Sequence, residues 1–194
     1  MNPLRYLAPA ALAATLILAA SGCGKAADEA AEVAAEQAAA KEGHNLDVNL
    51  EGGNVKISGT DAEGNAINIE TKQEGGTAEM HIKGADGAEA HYGENTKLPA
   101  DFPKDVPQYE GMKLISSMTE SGNMVVQATL SADLAAAKDY YVKACKEQGW
   151  TETQTMSTAG TMEMLHYEKD DRVLSVTLMK QDSGSMLNLV VGPK

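Results

Sequence analysis

The densest group of chemically capable side chains lies in the stretch TMEMLHYE, residues 161 to 168. On an extended strand Met162, Met164 and His166 share one face, because successive side chains alternate. Thioether and imidazole groups together are a soft ligand set suited to Cu(I). The alternative is that the methionines fill a core, in a chain that has 10 Met and one Phe. Leu165 and Tyr167 lie on the opposite face, so one face or the other must be buried, and the composition favours core filling over a copper site.

Other groups of potential ligands are less complete. His81 and His91 fall on neighbouring predicted strands, but two imidazoles without a third ligand make a weak metal site. Asp61, Glu63 and Asn65 suggest a calcium loop, yet the chain lacks the terminal bidentate glutamate that would complete it, and turn chemistry explains these residues better. The sequence therefore predicts no cofactor.

Nucleophilic catalysis has little support. The chain contains no Gly-x-Ser-x-Gly sequence. Cys145 falls on the apolar face of a predicted helix, where a thiol packs and does not react. Asp170 and Asp171 adjoin Arg172 at a predicted hairpin turn, where charges are solvated. We expect a protein that is not an enzyme, since a hydrolase would need a pocket that joins distant acidic residues.

The first 22 residues look like a signal peptide, with Arg5 followed by an apolar run from Tyr6 to Ala20. The run ends in Ala-Ser-Gly-Cys23, which resembles the lipobox of bacterial lipoproteins. That resemblance implies a cysteine that carries acyl chains such as palmitate, so Cys23 would anchor the chain stably in a membrane. Gly24 in place of Asp implies export to the outer membrane, on its periplasmic side. The alternative is an ordinary secreted protein with a free Cys23.

The charge balance limits the possible partners. Without residues 1–22 the chain keeps 15 Lys plus Arg against 28 Asp plus Glu, a net charge of −13. A surface this acidic repels nucleic acid and anionic head groups, so we expect no nucleic-acid binding, and membrane contact only through the lipid.

Three segments follow the signal peptide. Residues 23–43 contain the lipidated cysteine and an alanine-rich helix, which we interpret as a tether because its apolar side can bury little; docking on the following sheet is the alternative. Residues 44–97 alternate with a period of two between glycine-rich turns and predict an antiparallel β-meander. Its nine apolar residues on one face are Leu46, Val48, Leu50, Val55, Ile57, Ile67, Ile69, Met80 and Ile82. A sheet with one apolar face needs a cover, from the helix, the C-terminal domain, a second copy or another protein.

Residues 98–194 predict an α+β domain of order β-β-α-β-β-β-β, an antiparallel sheet with one packed helix. The helix is expected to begin after an N-cap at Ser131 and to end before Gly149, with Trp150 folding back on its end. A proline-rich segment, LPADFPKDVPQYEG at residues 98–111, precedes the strands. We expect a stiff connector held to the domain by Leu98, Phe102 and Val106, because a free linker would not carry these apolar residues.

The pattern LPADFPKDVPQYEGMK, two strands, DYYVKACKEQGW and a final meander resembles a group of bacterial envelope lipoproteins. Members of the group carry an LPxDFPxDVPxYxG opening and a YY...GW helix, and they form a domain without an assigned activity. The resemblance implies the α+β fold and the envelope address. We therefore expect a lipid-anchored, non-enzymatic envelope protein that binds or scaffolds another envelope component, such as a protein, with periplasmic copper or metal handling as the alternative.

Overall fold

The computed structural model describes residues 25–74, 77–84, 87–93 and 96–194. It divides into two compact units, of which the first ends at Glu89 and the second runs from Ala90 to Lys194. The sequence analysis had placed this division before Leu98. In the described residues no helix is both long enough and apolar enough to cross a membrane.

The N-terminal unit contains one helix followed by antiparallel strands joined in sequence order. The elements are α1 (Lys25–Lys41), β1 (Asn45–Glu51), β2 (Asn54–Thr60), β3 (Ala66–Glu74) and β4 (Thr77–Gly84). Direct neighbours include Val48 with Ile57 and Ile57 with Ile69. This register brings the apolar positions of the three strands together on one face, as the alternation predicts.

The core of the N-terminal unit is thin. Its buried residues are Ala35, Val48, Leu50, Val55, Ile57, Ile67 and Ile69, with Leu46, Met80 and Ile82 partly buried beside them. All nine apolar residues that the sequence assigned to one face belong to this cluster. Ala35 comes from α1, so the helix docks on the meander, whereas the sequence analysis favoured a tether.

The helix also closes an edge of that sheet. The Glu36 carboxylate accepts a hydrogen bond from the backbone N–H of Val48 at 3.0 Å, and the Glu32 carboxylate accepts one from Leu50 at 2.5 Å. Glu32 and Glu36 are one helical turn apart, which matches alternate residues of an extended strand. Two N–H groups of β1 that point away from β2 are thus satisfied by side chains of α1.

The second unit begins within β5 (Glu89–Tyr92) and continues through six longer strands and one helix. These are β6 (Lys113–Glu120), β7 (Asn123–Leu130), α2 (Leu134–Glu147), β8 (Thr151–Thr158), β9 (Met162–Lys169), β10 (Arg172–Lys180) and β11 (Ser185–Pro193). The six strands pair antiparallel in the order β6-β7-β11-β10-β9-β8. The predicted order and α+β class are confirmed.

Helix α2 lies on one face of this sheet. Its buried residues Leu134, Ala137, Tyr141 and Cys145 recur at helical spacing and pack on inward-facing side chains of the strands. Those inward residues include Val126, Leu165, Val176, Leu178, Leu187 and Leu189, all fully buried.

The two ends of α2 are closed in different ways. The N-cap is Asp133 and not Ser131: the Asp133 carboxylate accepts from the N–H of Ala136 at 2.8 Å. At the other end Gly149 has φ of +81°, and the N–H of Trp150 donates to the carbonyl of Cys145 at 2.9 Å. This hydrogen bond closes the helix in a Schellman motif, so Trp150 folds back as predicted.

The proline-rich segment is a series of turns. The carbonyl of Pro99 accepts from the N–H of Phe102 at 3.0 Å, and the carbonyl of Pro103 accepts from Val106 at 3.1 Å. The four-residue repeat therefore places an apolar residue at the end of each turn. Phe102 and Val106 are buried in the C-terminal core and Leu98 packs against it, so the segment is an integral element of the domain.

Candidate functional site

The burial pattern of β9 shows which side of the sheet Met162 and Met164 occupy. Glu163, Leu165 and Tyr167 are buried and point to the same side of the sheet as α2. Met162, Met164 and His166 therefore lie on the opposite side, and all three are half-buried. The favoured interpretation, in which these two methionines fill the core, is wrong, because they lie on the side of β9 away from α2 and do not belong to the core cluster.

Neighbouring strands add further methionines on the same side. Met164 lies directly opposite Met156 of β8. Met162 lies opposite Met179 of β10, and Met179 in turn lies opposite Met186 of β11. We call Met156, Met162, Met164, Met179 and Met186 the methionine face.

The methionine face is accessible. Met156 is 51% exposed and Met179 is 37% exposed. His166 borders the face on β9, where its neighbours across the strands are Gln154 and Ser175. The sequence analysis found only Met162, Met164 and His166, because the other methionines join them through strand register and not through local spacing.

A second exposed feature is the edge strand β8. All eight of its residues, TETQTMST, are exposed, and the strand pairs with β9 alone. Its register against β9 shifts between Glu152 and Gln154, a bulge that adds local twist. In an antiparallel strand half of the N–H and C=O groups point away from the partner, so β8 presents a row of such groups at its outer side.

Nothing in the described chain covers that outer side. The side-chain hydrogen bonds of β8 stay within β8 and β9: Thr153 donates to the carbonyl of His166, Thr155 to Glu152 and Ser157 to Glu163. The strand also contains neither lysine nor proline, two residues with which proteins commonly block an exposed edge.

The buried carboxylate of Glu163 connects α2 to the sheet. It forms an ion pair with Lys138 of α2 at 2.8 Å and accepts a hydrogen bond from the Ser157 hydroxyl at 2.7 Å. These partners favour the charged form, and the interaction with Lys138 is the larger cause of the lowered pKa of Glu163. An ion pair of this kind between α2 and β9 positions the helix, and the lowered pKa makes the carboxylate a weaker base.

Cys145 and Tyr141 lie on the buried face of α2, and Tyr167 of β9 belongs to the same core cluster. Burial raises the pKa of the Cys145 thiol to about 12, and it also raises the pKa values of both tyrosines. A thiol that stays protonated and enclosed is a poor nucleophile and a poor metal ligand. The predicted packing role of Cys145 agrees with this environment.

The most connected charged group is Asp105 in the proline-rich segment. Its carboxylate accepts from both terminal nitrogens of Arg172, at 3.0 and 2.7 Å, and from Lys169 at 2.6 Å. The Arg172 hydrogen bond is the largest cause that holds the pKa of Asp105 far below its ordinary value of 3.8. The Trp150 indole donates to the Asp105 carbonyl at 2.7 Å.

Two cations thus surround Asp105 beside an indole, with the Arg172 guanidinium 5.1 Å from the Trp150 ring centre. The carboxylate already occupies the guanidinium fork and the Lys169 amine, so the cluster holds the segment in place and has no free cation for an anionic ligand. The sequence placed Arg172 in a solvated turn, and only the folded chain brings it to Asp105.

The other candidate residues of the sequence are Cys23, Asp61, His81 and His91. Cys23 lies outside the described residues. Asp61 closes a turn by accepting from the N–H groups of Glu63 and Asn65 at 2.9 and 2.8 Å, so turn chemistry explains it as expected. His81 lies on β4 in the first unit and His91 on β5 in the second.

Residues 109–184 match a family model described as START domain-like. The match covers β6 to β10 with α2, and it includes fewer than half of the 194 residues of the chain. No curated protein and no solved structure matches the chain.

Proposed function

We propose that this chain is a lipid-anchored, non-enzymatic protein of the bacterial envelope whose C-terminal unit binds another envelope protein. The observation that carries the proposal is β8, an edge strand exposed along its whole length. Extended segments of partner proteins commonly bind by adding a strand to such an edge.

The side chains of β8 suit a polar, strand-adding interface. Thr, Glu, Gln and Ser make up most of the strand, so side-chain hydrogen bonds can add to the main-chain ladder. The adjoining methionines are flexible apolar groups that adapt to different contact surfaces. A partner strand would thus gain backbone hydrogen bonds along its length and apolar contacts at one side.

The proposed location in the outer membrane is supported by the sequence. The apolar leader and Ala-Ser-Gly-Cys23 support acylation at Cys23, and Gly24 supports the outer membrane, on its periplasmic side. The net charge of the processed chain argues against nucleic acid as a partner. The non-enzymatic assignment is supported by the enclosed Cys145 thiol and by the ion-paired Glu163 carboxylate.

A photo-crosslinking amino acid at Thr155 tests the binding edge in cells. We expect it to capture one envelope protein, because Thr155 lies near the middle of β8. The matched control places the same group at Lys143, an exposed position on α2 in the same unit. Identical products from both sites, or none above the non-irradiated sample from Thr155, would exclude β8 as the binding edge.

The anchor is tested separately with Cys23→Ala. We expect the parent chain to incorporate labelled palmitate and to sediment with outer membranes, and the variant to lose both properties. A variant that still incorporates the label would contradict acylation at Cys23. Because β8 is unchanged in this variant, the result is independent of the crosslinking result.

A further inference from the structure

The methionine face holds five of the 10 methionines of the chain on the side of the sheet that α2 does not cover. Most buried strand positions on the side of α2 are instead leucine and valine, such as Leu165, Val176 and Leu187, and Met124 is the one buried methionine among the described core residues of this unit. Methionine here is not a substitute for scarce aromatic core residues. Its concentration on an accessible face needs a reason other than packing under the helix.

The register fixes how close these side chains are. Residues directly opposite in an antiparallel pair have Cβ atoms about 4.5 to 5.5 Å apart, and diagonal neighbours about 7 to 8 Å apart. Met156 and Met164 are one direct pair, and Met162 and Met179 are another. Met162 is diagonal to Met156, and Met164 is diagonal to Met179. Each of the four thus lies beside at least two others.

Methionine side chains have the freedom to converge from these positions. Each has three rotatable bonds and an unbranched stem, so its sulfur can reach toward a shared point above the sheet. Partial exposure of Met156 and Met179 leaves room for such movement. His166 offers an imidazole two residues from Met164 on the same strand and diagonal to Met156.

We propose that the methionine face is a Cu(I) site in which Met156, Met162 and Met164 supply thioether ligands and Met179 or His166 completes the coordination. Thioethers are soft and neutral, so they bind Cu(I) in preference to Mg²⁺ or Ca²⁺, which take oxygen ligands. The site needs no deprotonation of its sulfur ligands, which distinguishes it from a thiolate site.

This proposal does not require strand addition at β8, although Met156 belongs to that strand. It extends the copper alternative of the sequence by two ligands, Met156 and Met179, that only the register provides. The competing use of the same face is apolar contact with a protein, which leucine would serve as well as methionine. Replacing methionine by leucine therefore separates the two, because it keeps apolar volume and removes sulfur.

The first experiment measures Cu(I) affinity of the purified full chain, without oxygen, against a competing Cu(I) chelator. Changes around metal ligands commonly weaken binding about 10- to 100-fold, so we expect the triple variant Met156→Leu, Met162→Leu, Met164→Leu to lose at least about tenfold. Met118→Leu is the control, because Met118 lies on β6 away from the methionine face. Absent binding in the parent chain, or equal affinity in the triple variant, overturns the proposal.

The second experiment locates the metal in the unmodified chain. With methionine methyl groups labelled with carbon-13, one equivalent of Cu(I) should shift the signals of Met156, Met162 and Met164, while those of Met118 and Met124 stay in place. Shifts confined to methionines outside the methionine face would overturn the site.

Discussion

The helix of the N-terminal unit docks along the edge strand of its sheet, whereas the helix of the C-terminal unit crosses a face of its sheet. Helix α1 is mostly alanine, so its backbone can approach β1 closely and its glutamates reach the strand N–H groups. Helix α2 carries Leu134, Tyr141 and Cys145 and buries them on the strands. The small residues of α1 thus allow hydrogen bonds to an edge strand, whereas the large residues of α2 form part of a core.

The consequence is a difference between two edges. The edge at β1 has two of its outward N–H groups bonded by Glu32 and Glu36, while the edge at β8 is exposed over all eight residues. Edge strands invite pairing with other chains unless they are covered or charged. We infer that β1 is closed against unwanted pairing and that β8 is the edge available to a partner.

The largest expected effect tests the core of the C-terminal unit. Phe102→Ala should lower the free energy of unfolding of that unit by about 3 kcal/mol, because it removes a buried aromatic ring and leaves a cavity in its place. Trp150, the single tryptophan, lies in this unit, so its fluorescence during urea unfolding reports on it directly. Lys104→Ala is the control on the same segment, at an exposed position. Equal urea midpoints of unfolding for both variants would indicate that the proline-rich segment is only a linker.

The next effect concerns the ion pairs of Asp105. Asp105→Asn should cost about 2 kcal/mol at neutral pH, within the range for hydrogen bonds to charged groups. Because folding depresses the pKa of Asp105, its contribution is complete above the ordinary pKa of 3.8 and is lost as the pH falls below that value. Urea unfolding of parent and variant, followed by Trp150 fluorescence, should therefore differ at pH 7 and converge in strong acid. Asp101→Asn, at an exposed position, should show no such difference.

A smaller effect is expected at the closed edge. The double variant Glu32→Ala, Glu36→Ala should destabilise the pairing of α1 with β1 by about 1 to 2 kcal/mol, since two partly exposed charge-assisted hydrogen bonds are lost. Hydrogen exchange at the Val48 and Leu50 amides should accelerate. Glu29→Ala on the exposed side of α1 is the control. Unchanged protection at both amides would contradict the role of the glutamates.

The smallest stability effect is expected at the open edge. The double variant Thr153→Lys, Thr155→Lys should change the free energy of unfolding by less than about 0.5 kcal/mol, as is usual for exposed sites. It should nevertheless abolish capture of the partner, measured by co-purification from crosslinked envelopes, because lysine blocks edge pairing. Ala135→Lys with Ala136→Lys adds the same charge on α2 and should leave capture intact. Loss of capture in both variants would indicate a charge effect and not an edge effect.

Much of the fold follows from local pattern. The period-two runs predicted the strands of both units, and the helical spacing of Leu134, Ala137, Tyr141 and Cys145 predicted the buried face of α2. The N-cap was placed at Ser131 because Ser and Asp both satisfy the local rule. In the structure the buried Ser185 hydroxyl donates to the Ala132 carbonyl at 3.0 Å, a contact distant in sequence that accompanies a helix start after Asp133.

The candidate site was less predictable. Alternation placed Met162, Met164 and His166 on one face of β9, but it could not say which face the helix would cover. Met156 and Met179 join them only because β8 and β10 pair with β9 in one particular register. Strand register depends on contacts between distant residues, and a shift of one position would move each methionine to the opposite side.

The sequence by itself determined the strands, the helices, the apolar repeat of the proline-rich segment and the acidic charge, because these depend on neighbours within a few residues. The tertiary structure decided that α1 closes β1, that β8 stays open, and that the methionine face lies outside the core. Each of these outcomes depends on which surfaces meet, and the free energy of burying one face of a strand depends on the partner that covers it. The local pattern determines which residues share a face of a strand, and tertiary packing determines which face is buried.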